Sequence, residues 1–201
     1  MRGATGPYVK RRLVLGRSVQ GRPIEAVELG DPHGPMRAVV VGCIHGNEPA
    51  GISVVQQLER IPLPPRLDLW LVVDMNPDGR AAHTRVNAHQ VDLNRNFPWA
   101  WKSTRKLGNV EYSGPRPLSE PESRAVYALL EGVQPRLVVW YHQPLGVVDE
   151  SGGSLALERR YAQLVGLPLR RLPRYPGSAA SWANHALPGA TSFVVERPWF
   201  A

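Results

Sequence analysis

The chain has 201 residues, 43% of them hydrophobic and 20% charged, with a single cysteine, Cys43, which suits one globular domain and excludes a fibrous chain, a disordered chain and a disulfide framework. The longest apolar stretches fall far below the roughly 20 residues that cross a bilayer, and no signal-length apolar run follows the basic N-terminus, so we expect no membrane partner and a cytoplasmic compartment. The net charge of +7 raises nucleic acid as a partner, but the basic residues are dispersed apart from short clusters at 10–12 and 170–174 and carry no nucleic-acid motif, so an anionic small substrate or plain solubility accounts for them.

Residues 23–29 alternate loosely before the turn Gly30-Asp-Pro-His-Gly34, which predicts an edge strand closing in a tight loop. Residues 37–44 form a continuous apolar run rich in β-branched residues, the pattern of a strand covered on both faces. Pro49 at a helix start, with Ile52, Val55 and Leu58 at helical spacing, predicts a crossover helix over 49–60 that Pro62-Leu-Pro-Pro65 stops. A buried strand follows at 68–74, and Asn76-Pro-Asp-Gly79 reads as a turn. Ser119-Glu-Pro-Glu122 announces a second helix, with Ser119 as cap and an end near Gly132. Residues 137–141 and 191–196 repeat the buried-strand pattern, and further helices are expected at 155–165 and 178–186. Four buried strands separated by helices imply an α/β fold in α/β/α layers around a mixed, largely parallel sheet. Ligands of such folds sit beyond the carboxyl ends of the strands.

Chemistry collects at those strand ends. His45-Gly-Asn-Glu48 follows the 37–44 strand, and an imidazole and a carboxylate three positions apart at a strand-to-helix turn can converge on one Zn²⁺. A loop histidine with a capping acid would give the same letters. The 137–141 strand leads into His142, a third ligand that would leave the fourth position open, as catalytic zinc is held. His33, His83, His89 and His185 follow no strong strand. Glu196 closes the last strand, where it serves either as a general base toward a metal-activated water or as the partner of Arg197 or another arginine. Asn94 and Arg95, beside Asn96, offer amide donors and a guanidinium fork suited to a carboxylate. Arg85 could hold an oxyanion, although each of these arginines taken alone reads more readily as an exposed side chain.

Taken together, His45-Gly-Asn-Glu48, Asn76-Pro-Asp-Gly79, Val91-Asp-Leu-Asn-Arg-Asn-Phe97, Ser119-Glu-Pro-Glu122, His142 and Val195-Glu196 resemble the zinc carboxypeptidase family in order and spacing, over roughly residues 16–198. Within it, the short chain, Tyr141-His-Gln-Pro-Leu145, and Tyr175-Pro-Gly-Ser178 with Trp182 most resemble bacterial murein peptide amidases, which cleave γ-D-glutamyl-meso-diaminopimelate. The resemblance implies one zinc per chain on His45, Glu48 and His142, Glu196 as general base and later acid, Asn94 and Arg95 on the free carboxylate of a small peptide substrate, and Arg85 on the oxyanion. The rival readings are a general metallocarboxypeptidase, a deacylase of N-acyl amino acids, or a silent domain that binds peptidoglycan fragments. Asp149 and Glu150 are candidate acids for the leaving residue, or else part of an exposed loop. Two departures stand out: Gln143 replaces an acidic residue that the amidases carry beside the ligand, and the chain stops five residues after Glu196. The expectation is therefore one catalytic domain over 1–201 without the C-terminal helix that commonly closes the fold, of open oligomeric state.

Overall fold

The computed structural model describes residues 8–199. The expectations that touch the first seven and last two residues lie in part outside the described residues. Eight strands form one mixed sheet in the order β1-β2-β4-β3-β5-β8-β6-β7. These are β1 (Val9–Arg17), β2 (Pro23–Gly30), β3 (Met36–Val41), β4 (Leu67–Val72), β5 (Leu137–His142), β6 (Val147–Asp149), β7 (Leu169–Arg170) and β8 (Thr191–Glu196). β4, β3, β5 and β8 are mutually parallel at the centre, while β1, β2 and β6 pair antiparallel.

Strict alternation explains why the central strands read as unbroken apolar runs. Val39, Val41, Val138 and Trp140 face one core with α3 (Pro121–Val133) and α5 (Ala179–Ala186). Their neighbours Ala38, Val40, Val139, Tyr141, Phe193 and Val195 face the other core, with Val55 of α1 (Ala50–Leu58) and Ala162 of α4 (Leu155–Val165). Each strand is thus covered on both faces, and the predicted three layers are present. Among the described residues no helix is long and apolar enough to cross a membrane.

Three expectations need correction. The 23–30 strand is not an edge, because β1 pairs along its whole length and takes the edge position. β1 escapes notice because Lys10, Arg11 and Arg12 are exposed on a two-stranded margin and give no apolar alternation. Asn76-Pro-Asp-Gly79 opens a short helix, α2 (Pro77–Ala82), whose first turn is capped by the Asn76 side chain accepting from the Gly79 N–H. Finally, α3 takes Glu120 rather than Ser119 as its N-cap, with no side-chain capping bond, because the Ser119 hydroxyl is drawn to the Glu120 carboxylate and to Asn96 Nδ2.

Candidate active site

The parallel register sets the site. His142 and Glu196 are Cα partners at the ends of adjacent strands β5 and β8, so two functional side chains leave the same edge of the sheet side by side. Beyond β3 the chain turns through residues 42–49 before α1 begins, which carries His45 and Glu48 to that edge. The turn is packed tightly on α2: a Cβ at Gly46 would lie 2.0 Å from the Gly79 carbonyl carbon, so no other residue fits there without displacing backbone. That contact joins the two glycine-bearing motifs.

His45 Nδ1 lies 3.0 Å from Glu48 Oε2, and His142 Nδ1 lies 2.8 Å from the same oxygen. One ligand atom from each residue falls within 4.8 Å of the others, and all three residues are buried. His45 Nε2 meets Asp92 Oδ1 at 3.0 Å. A neutral imidazole has one N–H, so a ring with a carboxylate at both nitrogens needs either a second proton or a cation between Nδ1 and Glu48. Two imidazoles and a carboxylate are a zinc donor set, and an outer carboxylate on the far nitrogen is the usual way a ligating histidine is oriented. The residues therefore fit the metal.

The surrounding charges agree. Burial alone would push the Asp92 carboxyl up, but His45, Arg85 and Arg95 hold it well below the usual carboxylate range. Asp92 is a hub: Oδ1 also accepts the Asn94 N–H at 2.9 Å, and Oδ2 accepts Arg85 Nε and Nη2 at 3.0 and 2.9 Å. Arg85 Nη1 donates to Glu48 Oε1 at 3.1 Å. Burial likewise works against the Glu48 anion, yet the two histidines keep its pKa below the ordinary value. Glu196 goes the other way, with burial raising its carboxyl and His142 offsetting only part of that. A carboxyl raised toward neutrality suits proton transfer.

His45, Glu48, Arg85, Asn94, Arg95, His142 and Glu196 all line one cavity of about 210 Å³. This is below the range for drug-sized ligands and suits a single amino-acid residue. Asn94 and Arg95 belong to a single 3-10 turn, Leu93–Arg95, N-capped by Asp92. Asn94 Oδ1 accepts the Ala179 N–H at 2.9 Å, turning the side-chain amide donors away from that helix start. Arg95 is nearly buried, and its guanidinium lies 4.0 Å from the Tyr175 ring centroid. A Cβ at Gly177, whose φ is +73°, would stand 2.1 Å from the Arg95 carbonyl oxygen, so the 175–177 turn and the Arg95 turn are built against each other.

Sequence reasoning names Asp92 and Tyr175 only as parts of motifs. The role of each depends on a partner far along the chain, and the two-residue spacing from Asp92 to Asn94 is the one local signal. Gln143 does carry a function: its Oε1 accepts the Ala50 N–H at 2.9 Å, tying the end of β5 to the start of α1. Of the two candidate acids, Asp149 lines the cavity and Glu150 does not.

A sequence model described as zinc carboxypeptidase matches residues 4–157. Murein peptide amidase A of Escherichia coli K12 is 32% identical over 195 residues, covering 90% of this chain and 78% of that protein. The crystal structure of a murein-tripeptide amidase from Escherichia coli O157 superposes with a TM-score of 0.77 at 29% identity, covering 100% of this chain and 88% of that one. Carboxypeptidase A from Helicoverpa armigera shares the fold, with a TM-score of 0.82 at 20% identity over 96% of this chain and 60% of that one.

Proposed function

The chain belongs to the zinc carboxypeptidase family, and from that premise we propose that this metallopeptidase acts on murein tripeptides, hydrolysing the amide between γ-D-glutamate and meso-diaminopimelate. The observation that carries this reading is a single cavity that joins the His45, Glu48 and His142 cluster and Glu196 to the Asn94 and Arg95 pair, with further charged groups, Asp149 and Arg174, in its wall. Likeness to the murein peptide amidases over nine-tenths of the chain supports the murein substrate over the family's others.

His45, Glu48 and His142 would hold one zinc. When bound, the metal supplies Lewis acidity to water and to the scissile carbonyl. Asn94 and Arg95 bind the leaving residue's α-carboxylate, which fixes the scissile bond one residue from the end of the substrate. Glu196 takes a proton from the attacking water and returns it to the leaving amine. Arg85 has three of its N–H groups committed to Asp92 and Glu48, and the remaining donors of its fork stabilise the developing oxyanion.

Incubation of zinc-loaded protein with L-Ala-γ-D-Glu-meso-diaminopimelate, read by mass, tests the reading. Release of the dipeptide and free diaminopimelate is expected. Faster hydrolysis of ordinary peptides with C-terminal L-amino acids would replace it with a general carboxypeptidase, and full zinc without turnover on either substrate would leave a silent binding domain.

A further inference from the structure

We propose that Arg174 is the specificity-determining residue of this cavity and receives a second anionic group on the leaving residue, apart from the α-carboxylate assigned to Asn94 and Arg95. The inference rests on the reading of the cavity as the leaving-residue pocket. It comes from counting donors and acceptors around the Asp149 and Arg174 pair, both of which line that cavity.

Asp149 is only 4% exposed, and both its oxygens are taken. Oδ1 accepts the Leu172 N–H at 2.9 Å, while Oδ2 accepts the Ser151 hydroxyl and Arg174 Nη1, each at 2.7 Å. A substrate ammonium would have to displace one of these bonds, so Asp149 is an anchor and not a receptor. Arg174 is the reverse. Nη1 donates to Asp149 and Nη2 to the Glu150 carbonyl, which leaves Nε and one N–H on each terminal nitrogen uncommitted. Its side chain remains 36% exposed. The guanidinium is thus held from one side by a carboxylate that is itself fixed by a serine and a backbone amide, and it presents spare donors in a preorganised fork.

Such a fork pairs with a carboxylate and meets an ammonium with like charge. A leaving residue whose side chain ends in a carboxylate, alone or beside an amino group as in diaminopimelate, gains these bonds. Lysine in the same place gains none and faces repulsion. The basic cluster at 170–174, which the sequence leaves to either an anionic small substrate or plain solubility, thereby contributes one functional member.

The test is the ratio of kcat/KM for L-Ala-γ-D-Glu-meso-diaminopimelate over its L-lysine analogue, measured in wild type, Arg174→Met and the double variant Asp149→Asn/Arg174→Met. The double variant removes the carboxylate that the single substitution would strand. Wild type should prefer the diaminopimelate peptide by about ten- to a hundredfold, and both variants should lose at least about tenfold of that preference, chiefly through KM. Arg174→Lys should retain part of it, which a purely structural arginine would not show. An unchanged ratio in both methionine variants overturns the proposal. If wild type cleaves neither murein peptide, the same variants are assayed on N-acyl dipeptides ending in L-glutamate or L-lysine. A glutamate preference lost on removing Arg174 then keeps the arginine assignment while discarding the murein substrate, and a preference that does not depend on Arg174 overturns the assignment.

Discussion

The two walls of the cavity are built on different principles. His142 and Glu196 leave paired residues of parallel strands, so sheet hydrogen bonds fix their separation, and His45 and Glu48 leave a turn that follows β3 and is held by the packing of Gly46 on Gly79 of α2. The other wall, residues 93–97 and 172–178, is a single 3-10 turn and irregular chain held by side-chain clamps and one backbone bond. Its fixings are Asn94 on the Ala179 N–H, Asp149 on the Leu172 N–H, and the Phe97 N–H on the Gly177 carbonyl at 3.0 Å. Under the proposed function, the reaction machinery is coupled to the fold, whereas substrate selection sits on segments outside the sheet.

Substitutions can break or sharpen that contrast. The largest effect is expected on the strand-end side: His142→Ala should lose zinc, measured by elemental analysis at neutral pH, and with it activity down to background. Retention of one zinc per chain in that variant would dissociate the histidine from the metal. Asp92→Asn, which keeps the shape of the hub but weakens its hold on His45, should lower zinc affinity by about ten- to a hundredfold in a competition titration with a chelator. On the loop side, Arg95→Met should raise KM by about tenfold with a smaller change in kcat and with zinc retained, the signature of lost substrate binding. An equal fall in zinc content would show that the two walls are not independent.

A third site, outside the cavity lining, sets the lower bound. Asp78 in α2 accepts from the Ser18 hydroxyl, the Gln20 N–H and Arg22, pinning the β1–β2 turn. Burial would raise its carboxyl, but these donors outweigh it and hold the pKa below the ordinary 3.8. Its stabilisation is therefore complete above that value and is lost as pH falls through the lower folded-state value. Asp78→Asn should cost about 1–2 kcal/mol near neutrality, a difference in thermal or urea midpoint that shrinks as pH drops below about 4, with kcat unchanged.

Legibility in the sequence follows the same division. β3, β5 and β8 are readable because alternation between two apolar cores leaves continuous apolar runs, and the ligands are readable because they stand where those runs stop. β1 is not, since its basic residues face solvent at an open margin. β6 and β7 are too short to show a period, at three and two residues. Asp92, Tyr175 and Arg174 are invisible as functional residues for another reason. Asp92 acts on His45 across 47 positions, Tyr175 acts on an arginine in a different loop, and Arg174 is oriented by an aspartate 25 positions away. No local pattern encodes pairings of that kind. Ser119 illustrates the converse: its spacing before Glu122 is a capping signal, and Asn96 and Glu120 claim the hydroxyl instead.

The division of labour along one sheet edge, with three side chains for the metal and Glu196 for the proton, is tested most directly by Glu196→Gln. Zinc content and kcat on the preferred substrate should be measured on the same preparation. One zinc per chain with kcat lowered by at least about a hundredfold is expected, and near-normal kcat with zinc retained would contradict the account.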